Sequence, residues 1–206
     1  MKTKKLAVLT ALFISYLGLS GSLRAEFLSL SVGFPVMQSY NDLKIEYSDE
    51  LASEKPEYVD TEMKADGIPT GALIHANIPF FPGLGVEVYQ TKLKVDSGYD
   101  LEKDRGDMKL KTVMYDLFYL LPIPFVNITL GGGMGQVELD CRECDDLYKK
   151  GSATQYFLQI GIPVLALFDL HFSYHGINSD IDSKDDTVKD ISFDSTMYAF
   201  GAAFVF

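Results

Sequence analysis

Apolar side chains in this sequence recur at every second position, in segments of about ten residues, rather than in one long run. The clearest segment spans residues 166–176, where aromatic and leucine residues alternate with Asp169, His171, Ser173 and His175. A β-strand places successive side chains on opposite faces, so this segment has one apolar face and one polar face. Strands of this kind can cross a membrane only as a closed barrel, because an open sheet edge leaves backbone groups unsatisfied in lipid.

Eight segments show the alternation, and bacterial barrels have an even number of strands. They are 28–34, 68–78, 84–95, 108–120, 125–138, 153–162, 166–176 and 197–206. Three short proline-containing connections are predicted as turns, at Pro79 to Gly83, Pro122 to Pro124 and Pro163 to Ala166. Long acidic connections alternate with them, at 41–66, 96–107, 139–152 and 177–192. This asymmetry is typical of outer-membrane barrels, whose long loops are extracellular.

We therefore predict an all-β chain that forms an eight-stranded antiparallel up-and-down transmembrane barrel. The alternative is a secreted β-sandwich, which also has short alternating strands. Aromatic residues gather near the strand ends on the expected outer face, and the last strand stops on Phe206. Both features favour the barrel.

The N-terminus has the pattern of a secretory signal peptide. Lys2, Lys4 and Lys5 precede the mostly apolar stretch 6–19, and small residues follow up to Ala25. An uncleaved anchor is the alternative, but the stretch is shorter than the ~20 residues that a membrane helix needs. We predict a signal peptide over 1–25 and a barrel domain over 26–206. Removing the signal peptide takes away four basic residues and moves the formal charge from −11 to −15.

The acidic charge excludes nucleic acid as a partner, because binding to phosphates needs a basic surface. Residues 41–66 alone hold nine acids against three lysines. The main prediction for such loops is a solvated surface. Divalent bridging to lipopolysaccharide phosphates stays open, as does calcium binding at 178–186, where the spacing of oxygen-bearing residues partly fits a calcium loop.

The chain ends in a pattern that resembles the carboxy-terminal signature of Gram-negative outer-membrane proteins. The residues are Tyr198, Phe200, Phe204 and the terminal Phe206. The resemblance implies recognition by the barrel-assembly machinery. With the eight strands, the chain looks like the small barrels of the OmpA membrane domain, OmpX and OmpW type, which implies a monomer in an outer membrane. Segments 78–89, 115–119 and Gly131-Gly132 look most like a small "GlyGly" outer-membrane barrel family of undefined role.

Alternation assigns a group of titratable side chains to the barrel lumen: His75, Glu87, Asp116, Asp169, His171 and His175. Asn127, Gln155 and Gln159 share this face, and no lysine or arginine of the central strand portions does. Enclosed carboxylates must then be protonated, keep a histidine protonated or bind a cation. The main prediction is a hydrogen-bonded polar plug, since small barrels are filled by side chains. A proton or cation leak and a bound divalent metal stay open, and no metal or cofactor is assigned.

Two short motifs bear on chemistry. His171-Phe172-Ser173 is similar to the His-x-Ser pair of outer-membrane lipid A deacylases, in which a histidine activates a serine. That family presents its pair to lipid, whereas alternation turns both residues here to the lumen. Cys141 and Cys144 lie in the third long loop, and an oxidising compartment predicts a local disulfide between them.

The sequence therefore predicts a non-catalytic structural or surface-interaction protein of an outer membrane, acting through acidic extracellular loops. The expected partners are outer-membrane lipid, lipopolysaccharide and an extracellular ligand. A narrow OmpW-like conduit for small or apolar solutes is the first alternative, and a hydrolase using His171 and Ser173 is the second. Strand register across Gly131 to Gly135 stays open, because a bulge there would exchange the two faces.

Overall fold

The computed structural model describes residues 28–48, 50, 53, 60–77, 81–95, 107–123, 126–142, 144–165 and 168–205. The signal-peptide segment, the turn residues Pro79 and Pro124, and the terminal Phe206 lie outside these residues. In the described part of the chain, no helix has the length and apolar character needed to span a membrane.

Strands account for most of the described chain, and a strand runs through each of the eight predicted segments. The strands are β1 (Ser29–Asn41), β2 (Lys44–Ile45), β3 (Thr61–Ala65), β4 (Thr70–Asn77), β5 (Gly83–Val95), β6 (Met108–Ile123), β7 (Val126–Asp140), β8 (Gly151–Leu165), β9 (Phe168–Ile181) and β10 (Ile191–Val205). A helical turn, Cys144–Leu147, precedes β8.

The sheet closes on itself. Each long strand pairs antiparallel with its neighbours along the chain, β10 pairs with β1, and β1 pairs with β4. Both β3 and β4 pair with β5, so they form one barrel strand that is interrupted at 66–69. The β5–β6 pairing completes the ring. The predicted eight-stranded antiparallel barrel is confirmed.

The proline positions correct one part of the prediction. Pro122 and Pro163 lie inside strands, paired with Asn127 and Asp169, close to the strand ends at Ile123 and Leu165. Pro163 adjoins a register shift, as does Pro35 in β1. Proline cannot donate to the ladder, so strands accept it at such irregularities. Register through Gly131 to Gly135 is continuous on both sides of β7, so the faces are not exchanged there.

Apolar side chains form a belt around the outside of the barrel on the short-turn half. The belt comprises Leu30, Phe34, Ile74, Leu84, Val86, Val88, Tyr115, Leu117, Tyr119, Leu130, Met134, Tyr156, Leu158, Ile160, Ile162, Phe172, Phe200 and Phe204, all exposed. In the described belt segments (29–36, 71–77, 83–90, 113–123, 126–136, 156–165, 168–176 and 196–205), every Asp and Glu points inward, and there is no Lys or Arg. Ring contacts mark two levels, Phe168–Phe204 near the short turns and Tyr156–Tyr174–Tyr198 at the other edge. Such aromatic levels flank the membrane-facing band of outer-membrane barrels.

Polarity inverts above the Tyr156–Tyr174–Tyr198 level. Ile177, Ile181, Ile191 and Phe193 point inward there and are buried. The residues next to them on the same strands point outward and are polar: Asn178, Asp180, Ser192 and Asp194. The inward residues join one hydrophobic cluster with Leu93, Met108, Leu110, Met114, Val137, Leu139 and Met197. The strands therefore continue beyond the belt as a barrel packed like a water-soluble one. We call this part of the strands the loop-side half. Some of its residues, such as 177–181 of β9, belong to segments that the sequence predicts as long loops.

At the loop end, residues 42–48, 141–142, 144–150 and 182–190 fold over the barrel, and we call them the cap. Isolated bridges join Tyr47 to Val188 and Tyr148 to Ser183. Backbone hydrogen bonds run from Ser48 to Thr187, from Lys189 to Glu46 and from Lys149 to Asp182. Within the cap, the side chains of Leu43, Ile45, Cys144 and Val188 are buried. The cap continues the hydrophobic cluster and covers the loop end of the lumen.

Candidate functional site

Four of the predicted lumen residues meet at one level inside the belt, and we call them the His–Glu–Asp cluster: His75, Glu87, Asp116 and His175. His75 Nε2 lies 3.3 Å from Glu87 Oε1 and 3.7 Å from Asp116 Oδ2. His175 Nδ1 lies 3.5 Å from the same Glu87 oxygen. The register brings them together, since Gly85 of β5 faces His75 on one side and Asp116 on the other.

The carboxylates of the cluster are buried and only partly hydrogen-bonded. Glu87 is fully buried, and the Asp116 side chain has no exposed area. Gln155 Nε2 donates to Asp116 Oδ1 at 2.6 Å, but Asp116 Oδ2 and Glu87 Oε2 have no hydrogen-bond partner among the described residues. No lysine or arginine is buried in the described part of the chain. Negative charge enclosed without a cation is costly, so these oxygens require a proton or a bound cation.

Aromatic rings fill the lumen around the cluster. Phe157 stacks between His75 and His175, at centroid distances of 5.4 and 5.2 Å. Phe118 packs against His75 and Phe157. Glycines on neighbouring strands provide the space for these rings. A Cβ on Gly83 would overlap the Phe118 ring, and a Cβ on Gly131 would overlap the Phe157 ring. The lumen at this level holds packed side chains, as expected for a small barrel.

The other two predicted lumen residues lie nearer the short turns. Asp169 accepts a hydrogen bond of 2.5 Å from Asn127 Nδ2. His171 lines a cavity of about 40 Å³ together with His75, Asp169, Asn127 and Gln159. Ser29 and Asn77, at strand ends beside the short turns, also line it. The cavity therefore extends from residues near the short-turn end of the strands to His75.

Ser173 contacts a different histidine from the one that the deacylase-like motif suggests. Its Oγ lies 2.8 Å from His175 Nε2, and His175 Nδ1 faces Glu87. The contacts follow the order serine, histidine, carboxylate of hydrolytic triads. Both Ser173 and His175 are buried in the lumen, and Phe157 covers the His175 ring. Neither residue faces the belt, so a lipid substrate has no access to this serine.

The remaining sequence-predicted residues lie on the outside of the barrel or in the cap. Cys141 and Cys144 form a disulfide with a Cα–Cα distance of 5.1 Å, within the cap. Tyr198, Phe200 and Phe204 share the outward face of β10. Sequence reasoning missed the inward Phe118 and Phe157, and it missed the Gln38–Thr91 and Gln38–Ser195 hydrogen bonds above the cluster. Strand parity alone could have placed both phenylalanines inside.

Similarity to solved structures extends over nearly the whole barrel. Neisserial surface protein A superposes with a TM-score of 0.51 at 14% identity, covering 87% of this chain and 97% of that one. The fold is that of a small outer-membrane β-barrel. Ail, the attachment invasion locus protein of Yersinia pestis, matches with a TM-score of 0.46 at 16% identity, covering 87% of this chain and 97% of Ail. Outer membrane protease OmpT from Escherichia coli matches with a TM-score of 0.47 at 8% identity, covering 91% of this chain and 100% of OmpT.

No family model matches the sequence, and a search of curated proteins finds no match. The resemblance to the "GlyGly" barrel family therefore stays a prediction.

Proposed function

We propose that this protein is a monomeric integral outer-membrane barrel with a sealed lumen, and that it acts without catalysis through its acidic extracellular cap. The observation that carries the proposal is the inversion of polarity along the strands. An apolar exterior suits lipid, and a polar exterior over an apolar interior suits water. The protein then stands in lipid up to the tyrosine level and projects a folded, ordered domain beyond it.

Packing of the lumen supports a sealed barrel rather than a conduit. Phe157 and the two stacked histidines cross the lumen at the level of the cluster. Above them, Met114 and Met197 are fully buried within the hydrophobic cluster. A continuous water path would have to displace both layers, which cost free energy to unpack. These contacts argue against the OmpW-like alternative.

The cap supplies the surface for interaction. Asp145, Asp146 and Asp186 are exposed there, and their side chains make no hydrogen bond or ion pair within the described residues. Other acids of the cap hold its structure, as Asp190 does by accepting from the Ser183 amide. A cationic partner, or lipopolysaccharide phosphate bridged by divalent cations, matches the free carboxylates. A polyanion without such bridging does not.

The enzyme alternative loses support from burial. Ser173 has the partners of a nucleophile, but it is 2% exposed and enclosed by the barrel wall. Catalysis would need substrate within reach of the serine oxygen. We therefore assign the Ser173–His175–Glu87 contacts to packing of the lumen.

Labelling of single cysteines in intact cells tests the location and orientation. The native cysteines are joined in a disulfide, so an introduced thiol is the reactive one. Asp186→Cys lies in the cap, and Phe81→Cys is its matched control at an exposed site beside the short turn. A membrane-impermeant maleimide should label only the cap variant, and both should react after lysis. Labelling of Phe81→Cys in intact cells would contradict the proposed orientation.

Binding by proteoliposomes tests the role of the cap. We expect an oligolysine peptide to bind the wild-type barrel in low salt and to lose most of that binding in D145N/D146N/D186N. The control D180N/D194N neutralises acids on the barrel wall and leaves the cap unchanged. Equal binding by the wild type and the cap variant would remove the cap carboxylates as the interacting surface.

A further inference from the structure

We propose that the His–Glu–Asp cluster binds a divalent transition cation of the zinc class inside the barrel. This inference is independent of the proposed surface role. It rests on three observations in the lumen: the geometry of the donor atoms, the unpartnered carboxylate oxygens, and a cavity that reaches the cluster from the short-turn end.

The donor atoms already have the spacing of a metal site. One ligand atom from each of His75, Glu87 and Asp116 lies within 4.8 Å of the others. His75 Nε2 lies 3.3 Å from Glu87 Oε1 and 3.7 Å from Asp116 Oδ2. Ligands at 2.0–2.1 Å from a tetrahedral zinc ion are separated by about 3.4 Å. A cation could therefore bind with only small movements of the three side chains.

The unpartnered oxygens give an independent indication of a ligand. Glu87 Oε2 and Asp116 Oδ2 are buried, and no residue in the described part of the chain forms a hydrogen bond with either atom. Such atoms cost free energy unless something satisfies them. No lysine or arginine is buried among the described residues, so the two carboxylates need either a proton held within the cluster or a bound cation. A divalent cation would balance both charges. Gln155 holds Asp116 by its other oxygen, which leaves Oδ2 directed to His75.

The type of donor favours a transition metal over calcium or magnesium. Imidazole suits zinc and its neighbours, whereas calcium and magnesium prefer oxygen ligands alone and more of them. Three protein ligands leave a fourth position for water, as in open zinc sites. The 40 Å³ cavity beside His75 has room for about two water molecules and extends toward the short-turn end of the strands.

Metal binding to the refolded, chelator-treated full barrel in detergent tests the proposal. Zn²⁺ is added in the presence of excess Mg²⁺, which occupies weak sites on the acidic cap. We expect one equivalent of tightly held zinc. E87Q and D116N should each weaken binding by about tenfold or more. D169N is the matched control, since it removes another lumen carboxylate outside the cluster, and its affinity should stay within about twofold of the wild type.

X-ray absorption at the zinc edge supplies a readout other than affinity. We expect one imidazole nitrogen together with carboxylate oxygens at about 2.0–2.2 Å. Failure of the wild-type barrel to hold one equivalent would overturn the proposal, whatever the variants do. Tight binding that E87Q and D116N leave unchanged, or a shell of oxygen atoms alone, would place the ion on the cap surface and would also overturn it.

Discussion

Asp116 and Gly133 are direct partners in the β6–β7 ladder, and the Asp116 carboxylate occupies the space that a side chain on Gly133 would need. A Cβ at this glycine would overlap Asp116 Oδ1 and lie 2.8 Å from the Tyr115 carbonyl oxygen. The glycine therefore leaves room for a buried acid to turn toward His75. Its neighbour Gly132 points outward, where a Cβ would meet only the Gln155 carbonyl at 3.3 Å.

Gly133→Ala should destabilise the folded barrel by about 1–3 kcal/mol, because the added methyl group overpacks the lumen. Denaturant titration of the refolded protein, followed by heat-modifiable gel mobility, measures this loss. Gly132→Ala is the matched control and should cost less than about 1 kcal/mol. Equal losses in the two variants would mean that the lumen packing is looser than the contacts indicate.

Val86→Arg should cost about 2–4 kcal/mol when the barrel is folded in lipid bilayers, because Val86 is exposed in the middle of the belt. Thr154→Arg, which points outward just above Tyr156 on β8, should change the folding free energy by less than about 0.5 kcal/mol. Equilibrium unfolding from vesicles compares the two. If both arginines cost the same, the tyrosine level does not mark the edge of the lipid.

The Asp190 carboxyl group, which contacts Ser183, should titrate below the usual pH range of an aspartate. The Ser183 amide donates to Asp190 Oδ1 at 2.7 Å, and this hydrogen bond lowers the pKa of Asp190. A lowered pKa in the folded state stabilises the cap above the unfolded value of about 3.9, and this contribution is lost as pH falls through the folded pKa. The Ser183 amide shift, followed by NMR, should change only in that lower range. A change at or above the ordinary value would contradict the assignment, and D190N should abolish it.

The barrel and its inward face could be predicted because one property, side-chain alternation, determines both. Asp169, His171, Ser173 and His175 alternate with residues of the belt over one strand, so their side was readable from the sequence. The same rule placed Glu87 and Asp116 in the lumen. Which residues meet across the lumen depends on the register between strands, and that register depends on pairings such as Gly85 with Asp116. The cluster could not be assembled from one sequence alone.

The loop-side half was misread for a physical reason. Ile177, Ile181, Ile191 and Phe193 alternate with acidic and polar residues at the same period of two. If the barrel exterior is expected to face lipid, outward polar residues argue against a strand, and the segment is predicted as a solvated loop. Above the membrane the exterior is water, so the same alternation encodes a strand with its apolar side inward. The prolines differ from the prediction for another reason: Pro122 and Pro163 lie within the last residues of their strands, so they precede the turns rather than form them.

Conductance in a planar bilayer tests the central claim of a sealed lumen most directly. The refolded wild-type barrel, with its folding verified by heat-modifiable mobility, should pass no steady current. Phe157→Ala should also be silent, although it loses about 3–5 kcal/mol of stability, because the hydrophobic cluster and the cap still close the loop end. A steady wild-type current that changes with Asp116→Asn would contradict the account and place the function in the lumen.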